Sequence, residues 1–299
     1  LAAEGRYQEA ADWFRRYYEE YERAGKREAA TRFLVNWANA RLAVHQYREA
    51  MEAYLKARDR ARAEKDQSLA SQLAINLAWL YRAQGALDEA ETALRDVVGG
   101  TSEAEAYALL ADIRARKGDI EAAFAAFSRA VQLADDSGDA ATAVRILDWY
   151  GDALLRHHRL EEAERVLLDS YRRRVLGKIP VPALCYRNLA LLKQARGDLA
   201  AAGRLIDRAF VAARGGASLM PLWSLYFSRA RLRLAQNQLE AALADAGQAT
   251  ELIQSLRLAC LPADSFRTSA GAELHEVYAL GVEVAARLYD RTGSGKFAR

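Results

Sequence analysis

The sequence predicts an all-α fold, a right-handed superhelical solenoid of antiparallel helix pairs, from three observations. One short phrase recurs: a helix, a Gly or polar turn, then Tyr, Leu or Ile three residues ahead of an alanine that opens a second helix. The phrase ends at Ala10, Ala50, Ala90, Ala123, Ala163 and Ala202, and more loosely at Ala242, so the successive spacings are 40, 40, 33, 40, 39 and 40 residues. Self-similarity at a fixed period is the mark of a stacked repeat architecture. Small residues stand at Ala38, Ala78, Ala111, Gly151, Ala190 and Ala230, each 12 positions before the next phrase alanine, so two small surfaces can meet where the paired helices cross. The 4 prolines, Pro180, Pro182, Pro221 and Pro262, all fall between repeats and leave every helix interior intact.

The first unit opens at its turn. Only Leu1 to Glu4 precede Gly5, which reads as the end of a helix whose upstream part belongs to a longer chain. Glycines 5, 85, 118 and 197 sit just after a first helix, where a residue without Cβ takes positive φ at no cost and closes off the last carbonyls. Glu9, Glu49, Asp88, Glu89, Glu121, Glu161 and Glu162 follow in the first turn of each second helix, where the helix dipole favours negative charge. The unit ending at Ala123 is the short one. Gly99 and Gly100 stop its predecessor early, Ser102 and Glu105 form a capping box for the next helix, and the superhelix is expected to change pitch there. About thirteen antiparallel helices are expected over residues 7–257. Repeats fill 1–256, and 257–299 supply a capping helix and a tail that leads toward further chain. The amphipathic positions of that last helix are Phe266, Leu274, Val277, Tyr278, Val282, Ala285, Leu288 and Tyr289.

Composition narrows the function. The chain has 52% apolar residues, nothing resembling a signal peptide and no 18-residue apolar run, which makes a cytoplasmic protein without membrane association the expectation. Cys185 and Cys260 do not make a disulfide framework, and neither has a His and an acid placed in sequence to activate it. His157 and His158 point about 100° apart on a helix end with no third ligand near, so they read as a solvated turn and no metal is expected. Gly293 to Lys296 lacks phosphate-loop spacing and follows a helix instead of a strand. With 43 basic against 40 acidic residues and one short run, Arg172 to Arg174, direct nucleic-acid binding is not expected.

The phrase and its small partners resemble the tetratricopeptide repeat family. The paired alanines match that repeat's small positions, and Tyr54, Leu94, Phe127, Leu167 and Ile206 match its large position in the second helix. Six or seven units cover about residues 1–256. Most are longer than the family's usual length of about 34 residues, similar to the lengthened repeats of kinesin light chains. The resemblance implies a binding groove: a stripe on each first helix faces the concave side and holds extended peptides. Carried over residue by residue, the stripes are Arg32, Asn36, Asn39 and Ala43; Gln72, Asn76, Trp79 and Ala83; Glu105, Leu109, Asp112 and Arg116; Arg145, Trp149, Asp152 and Arg156; Leu184, Asn188, Leu191 and Ala195; then Ser224, Ser228, Arg231 and Ala235. Asp148 and Arg187 stand beside their stripes. Asn36, Asn76 and Asn188 share one repeat position, where an amide with both donor and acceptor could pair with a peptide backbone. Trp79 and Trp149 would anchor apolar or basic ligand side chains. The plainer reading is that the tryptophans fill the inner wall and the asparagines are solvated.

The sequence therefore implies a non-catalytic scaffold that binds a protein or extended peptide segment and needs no cofactor. Two alternatives stay open. The region after the repeats weakly resembles the segment that joins repeats to the caspase-like domain in bacterial CHAT-domain proteins, which would make this chain the recruiting arm of a cysteine peptidase whose His and Cys lie elsewhere. Repeat-bearing bacterial transcription regulators offer the other, with this chain as the sensor arm.

Overall fold

The structure is a computed structural model that describes residues 2–44, 46–83, 85–95, 97, 101–214, 222–259 and 266–294. Among these, fourteen α-helices and no strand occur: α1 (Ala2–Arg23), α2 (Arg27–Ala43), α3 (Tyr47–Ala63), α4 (Gln67–Ala83), α5 (Leu87–Leu94), α6 (Thr101–Lys117), α7 (Ile120–Asp136), α8 (Ala140–Arg156), α9 (Leu160–Gly177), α10 (Ala183–Ala195), α11 (Leu199–Arg214), α12 (Leu222–Ala235), α13 (Leu239–Ala259) and α14 (Phe266–Thr292). Cys260, Pro221, Pro262, Gly99, Gly100 and Lys296 lie outside the described residues.

The long period is spent on helix length. Both helices of the unit formed by α2 and α3 have 17 residues, as do α4, α6, α7 and α8. The exception is α5, whose 8 residues end at Leu94, five positions before Gly99, the first of the pair expected to stop it. The helix after it starts at Thr101, which puts Ser102 inside its first turn instead of outside it. Gly5 does not end a helix: α1 runs through it to Arg23. A single glycine inside a helix costs only about 1 kcal/mol relative to alanine, which the packing of α1 on α2 offsets.

The turns use one geometry with different residues. Gly85, Gly118 and Gly197 have φ of 76°, 89° and 82°, and at the equivalent turns His158 and Asn237 take φ of 57° and 59°. His158 therefore occupies a turn position that favours glycine.

All the small crossing residues, Ala38, Ala78, Ala111, Gly151, Ala190 and Ala230, are buried, together with the alanines they meet. The large partners Tyr54, Leu94, Phe127, Leu167 and Ile206 are buried against them. Each such core belongs to a few adjacent helices, so the interior is a series of linked clusters along the stack.

The first helices form an inner layer in which α4 touches α6, α6 touches α8, and so on through α10, α12 and α14. One contact departs from neighbour-only packing: α14 also touches α4. Val277, Leu280, Val284 and Leu288 seat α14 on α12 and α13 through Phe227, Ala242, Ala246 and Ile253. The inner layer thus returns on itself, with α14 between its last and early members.

Candidate functional site

A cavity of about 930 Å³ lies inside this layer, walled by α4, α6, α8, α10, α12 and α14. Its apolar surface comes from Trp79, Trp149, Leu155, Leu184, Leu191, Trp223 and Phe227. Trp79 and Trp149 are 70 positions apart in sequence yet their rings meet edge to face, with centroids 5.2 Å apart and planes at 72°. Arg82 lies over the Trp79 ring at 4.4 Å and Arg145 over Trp149 at 5.8 Å. The two tryptophans form one aromatic corner braced by two guanidiniums.

A charged ribbon crosses the floor from helix to helix. Asp112 on α6 accepts from Arg82 of α4 at 2.7 Å, from Arg116 of its own helix at 3.0 Å and from Arg156 of α8 at 2.9 Å. Arg156 continues to Asp152 at 3.2 Å, and Asp152 takes Arg187 of α10 at 2.6 Å. Burial alone would push the Asp112 carboxyl up, but the three guanidiniums together hold it well below the usual carboxylate range. Asp112 thus contributes stability that is complete above the unfolded carboxylate value of roughly 4 and drains away as pH falls toward its depressed folded value. The stability deficit of Asp112→Asn relative to wild type should accordingly shrink between pH 7 and pH 2.5, measured by urea unfolding at both.

A second, buried cluster is set into the wall, where Asp148 and Arg174 are lining residues. Asp148 is 1% exposed and accepts from Arg174 at 2.6 Å and from the Ser170 hydroxyl at 2.6 Å. Arg174 also donates to the Pro180 carbonyl at 3.0 Å, and the Asn188 amide donates to the Asp148 main-chain carbonyl at 2.9 Å. Burial pushes the Asp148 carboxyl up against the pull of Arg174 and Ser170. Cys185 is fully buried beside this cluster, and burial first, then the Asp148 charge, raises its thiol. The acid next to Cys185 therefore suppresses the thiolate. Native protein should leave Cys185 unmodified by iodoacetamide at pH 8, and unfolded protein should react there, as read by peptide mapping of the alkylated chain.

The structure divides the expected stripe into three environments. Trp79, Arg116, Arg145, Trp149, Asp152, Arg156, Arg187 and Arg231 line the cavity, and Asp112 lines a recess of about 100 Å³ that adjoins it beneath the two tryptophans. Arg32, Asn36, Asn39 and Gln72 are exposed on α2 and α4 and are not among the cavity's lining residues, with Asn76 half-buried and accepting from Gln72 at 3.3 Å. Arg32 pairs with Glu28 one turn away, and Asn39 accepts from the Tyr54 hydroxyl. The third environment is the buried one, and it corrects one expected ligand residue, Asn188. Asn188 is fully buried, with its Nδ2 donating to the neighbouring helix and its Oδ1 buried without a hydrogen-bond partner, and Asp148 is set into the cavity wall with both carboxylate oxygens engaged. The three asparagines do not form a ladder of equivalent side chains, since Asn36 is exposed, Asn76 half-buried and Asn188 enclosed.

Several lining residues escaped the sequence reading. Phe227 holds the same repeat position as Asp148 and Arg187, so extending that position to the next unit would have found it. Arg82 lies one turn beyond Trp79 on the same helix face. Arg174 on a second helix and Glu276 on α14 lie outside the repeat register and carry no such signal.

Residues 104–137 match the tetratricopeptide repeat model. The fold is a tetratricopeptide-like helical solenoid. The matched stretch is α6 and α7, the unit whose spacing is nearest the family's usual length of about 34 residues. The model for anaphase-promoting complex subunit 5 matches over residues 2–87 and 32–116. No curated protein matches the chain significantly. Among solved structures, a signal transduction ATPase with numerous domains and a tetratricopeptide repeat sensor, from Pyrococcus horikoshii, aligns at 13% identity and a TM-score of 0.53 over 97% of this chain and 48% of that one. A thermophilic tetratricopeptide repeat protein from Thermus thermophilus aligns at 22% identity and a TM-score of 0.50 over 63% of this chain and 96% of that one. These likenesses concern the fold. Among the described residues no helix is long and apolar enough to cross a membrane.

Proposed function

We propose that this chain is a non-catalytic interaction module that holds a segment of a partner protein on its concave face, with the Trp79 and Trp149 corner as its anchor. The observation that carries the reading is that residues from eight helices, collected over nearly 200 positions of sequence, converge on one apolar cavity rimmed by charge. Such concave, mostly apolar surfaces with a few placed polar groups are where ligands are held, and buried aromatics at their centre carry most of the binding energy. The exposed residues Arg32, Asn36, Asn39 and Gln72, with half-buried Asn76, extend the surface toward α2 and would pair with backbone of the same segment outside the cavity. The recruiting arm of a peptidase and the sensor arm of a regulator both need domains beyond this chain, and the cavity serves either as a docking site without favouring one.

The test is affinity capture of a partner by the purified chain, mapping of the bound segment, and titration of that segment into variants whose folding is checked by thermal unfolding. Trp149→Ala should weaken binding by about 2 kcal/mol or more, as expected for a central anchor. Exposed Asn36→Ala should cost about 0.5–1.5 kcal/mol, the net worth of an ordinary hydrogen bond. Asn188→Ala should lower stability. Unchanged affinity in both the Trp149 and Trp79 alanine variants, with loss from substitutions on the outer second helices, would move the site to the convex face.

A further inference from the structure

Among the described residues, seven arginines line the cavity: Arg82, Arg116, Arg145, Arg156, Arg174, Arg187 and Arg231. The carboxylates on the same wall are Asp148, Asp152 and Glu276, with Asp112 in the adjoining recess. Asp112 alone is shared by three guanidiniums, and Asp152 by two. Arg145 reaches out of the ribbon to Glu105, and its Nε is buried without a partner. Arg231 is exposed on α12, where its guanidinium lies 5.8 Å from the centre of the Phe227 ring and is paired with none of the described carboxylates. Positive charge is therefore concentrated at an apolar wall of a chain whose overall charge is only +3. Seven guanidiniums against four carboxylates leave an excess of one sign, and low-dielectric walls with such an excess focus the field into the space between them and raise the local concentration of the opposite charge. The depressed Asp112 carboxyl reports the same positive potential.

We infer that the segment held in the concave face is acidic, with Asp or Glu side chains meeting the Arg145 and Arg231 rim while aliphatic or aromatic neighbours fill the Trp79, Trp149 and Phe227 wall. The inference rests on the groove reading above and adds to it the charge of the ligand. Guanidiniums suit this task because their planar fork meets a carboxylate with two parallel hydrogen bonds and stacks on aromatic faces at the same time, and both rim arginines already lie beside an aromatic ring. Glu276 of α14 shows a carboxylate side chain placed at this wall by the chain itself.

Three fluorescein-labelled eight-residue probes, capped at both ends so that no terminal charge takes part, test it: one alternating leucine with glutamate around a central phenylalanine, one with glutamine at every glutamate, and one with lysine there. The acidic probe should bind at least tenfold more tightly than the glutamine probe in 50 mM salt, with the advantage falling as salt rises. Arg231→Gln and Arg145→Gln should each weaken the acidic probe about three- to tenfold and leave the glutamine probe unchanged. Arg231→Glu should reverse the order and favour the lysine probe, a gain that no unfolded variant would give. Equal binding of the acidic and glutamine probes would overturn the charge assignment and leave the groove standing. Binding of dodecanoate with no binding of any peptide probe would overturn both, making the cavity a site for small organic anions. Failure of all four ligands would also sink both readings.

Discussion

Asp148→Ala should destabilise the chain by about 3–5 kcal/mol, the cost of leaving a buried charge without its counter-ion. Asp148 and Arg174 are 1% and 5% exposed, and their side chains meet at 2.6 Å between α8 and α9. Removing the carboxylate leaves the Arg174 guanidinium with only the Pro180 carbonyl, leaves the Ser170 hydroxyl with only the longer 3.2 Å bond to the Val144 carbonyl and opens a void beside Cys185. The loss should appear as a lower urea midpoint with an unchanged slope. Replacing both partners, Asp148→Leu with Arg174→Met, should recover most of it, since a buried pair exchanged for apolar groups of similar volume is often neutral. A double variant as unstable as the single one would mean that the cluster's shape matters more than its charge. A wild-type midpoint in Asp148→Ala would mean that the pair is open to water, which would return Asp148 to the ligand surface the sequence first suggested for it.

Gly151→Ala should cost about 1–3 kcal/mol, the range for adding volume to a packed crossing. A Cβ built on Gly151 would lie 2.6 Å from the Leu167 Cγ, and Leu167 is wholly buried with no free space to retreat into. The other crossings use alanine at this position, so this pair has traded a methyl on α8 for a closer approach of the branched leucine on α9. Leu167→Ala alone should cost about 2–5 kcal/mol through the cavity it leaves. The double variant should be less unstable than the sum, because the new methyl fills part of that cavity. Strict additivity in this double-mutant cycle, measured by urea unfolding, would show that the two side chains do not compete for one space.

The periodic pattern was enough to read the helices, their pairing and the crossings between them. Ala50, Ala90, Ala123, Ala163, Ala202 and Ala242, with the small residues 12 positions before them, are buried where the phrase put them, because a helix face is fixed by spacing along one segment and a crossing by the two smallest residues available. That the unit before Ala123 is short was legible from its 33-residue spacing, although α5 ends at Leu94, ahead of the glycines expected to stop it. Gly5 was misread because a glycine shows only what the backbone is permitted to do, and here α1 runs through it.

Which members of a correctly placed stripe meet water was decided by the tertiary structure. Asn36, Asn76 and Asn188 share a repeat position, yet they are exposed, half-buried and fully buried, since exposure depends on how far the neighbouring helix closes over each one. Trp79 and Trp149 became a single corner, and Arg82, Asp112, Arg156, Asp152 and Arg187 a single ribbon, through contacts between helices 30 to 44 positions apart or more. The return of α14 to α4 has no counterpart in any local pattern, because it sums the small rotation between successive helix pairs over the whole stack. Local periodicity sets each pair; the accumulated rotation sets the cavity, and with it the charge and aromatic surface that a partner would meet.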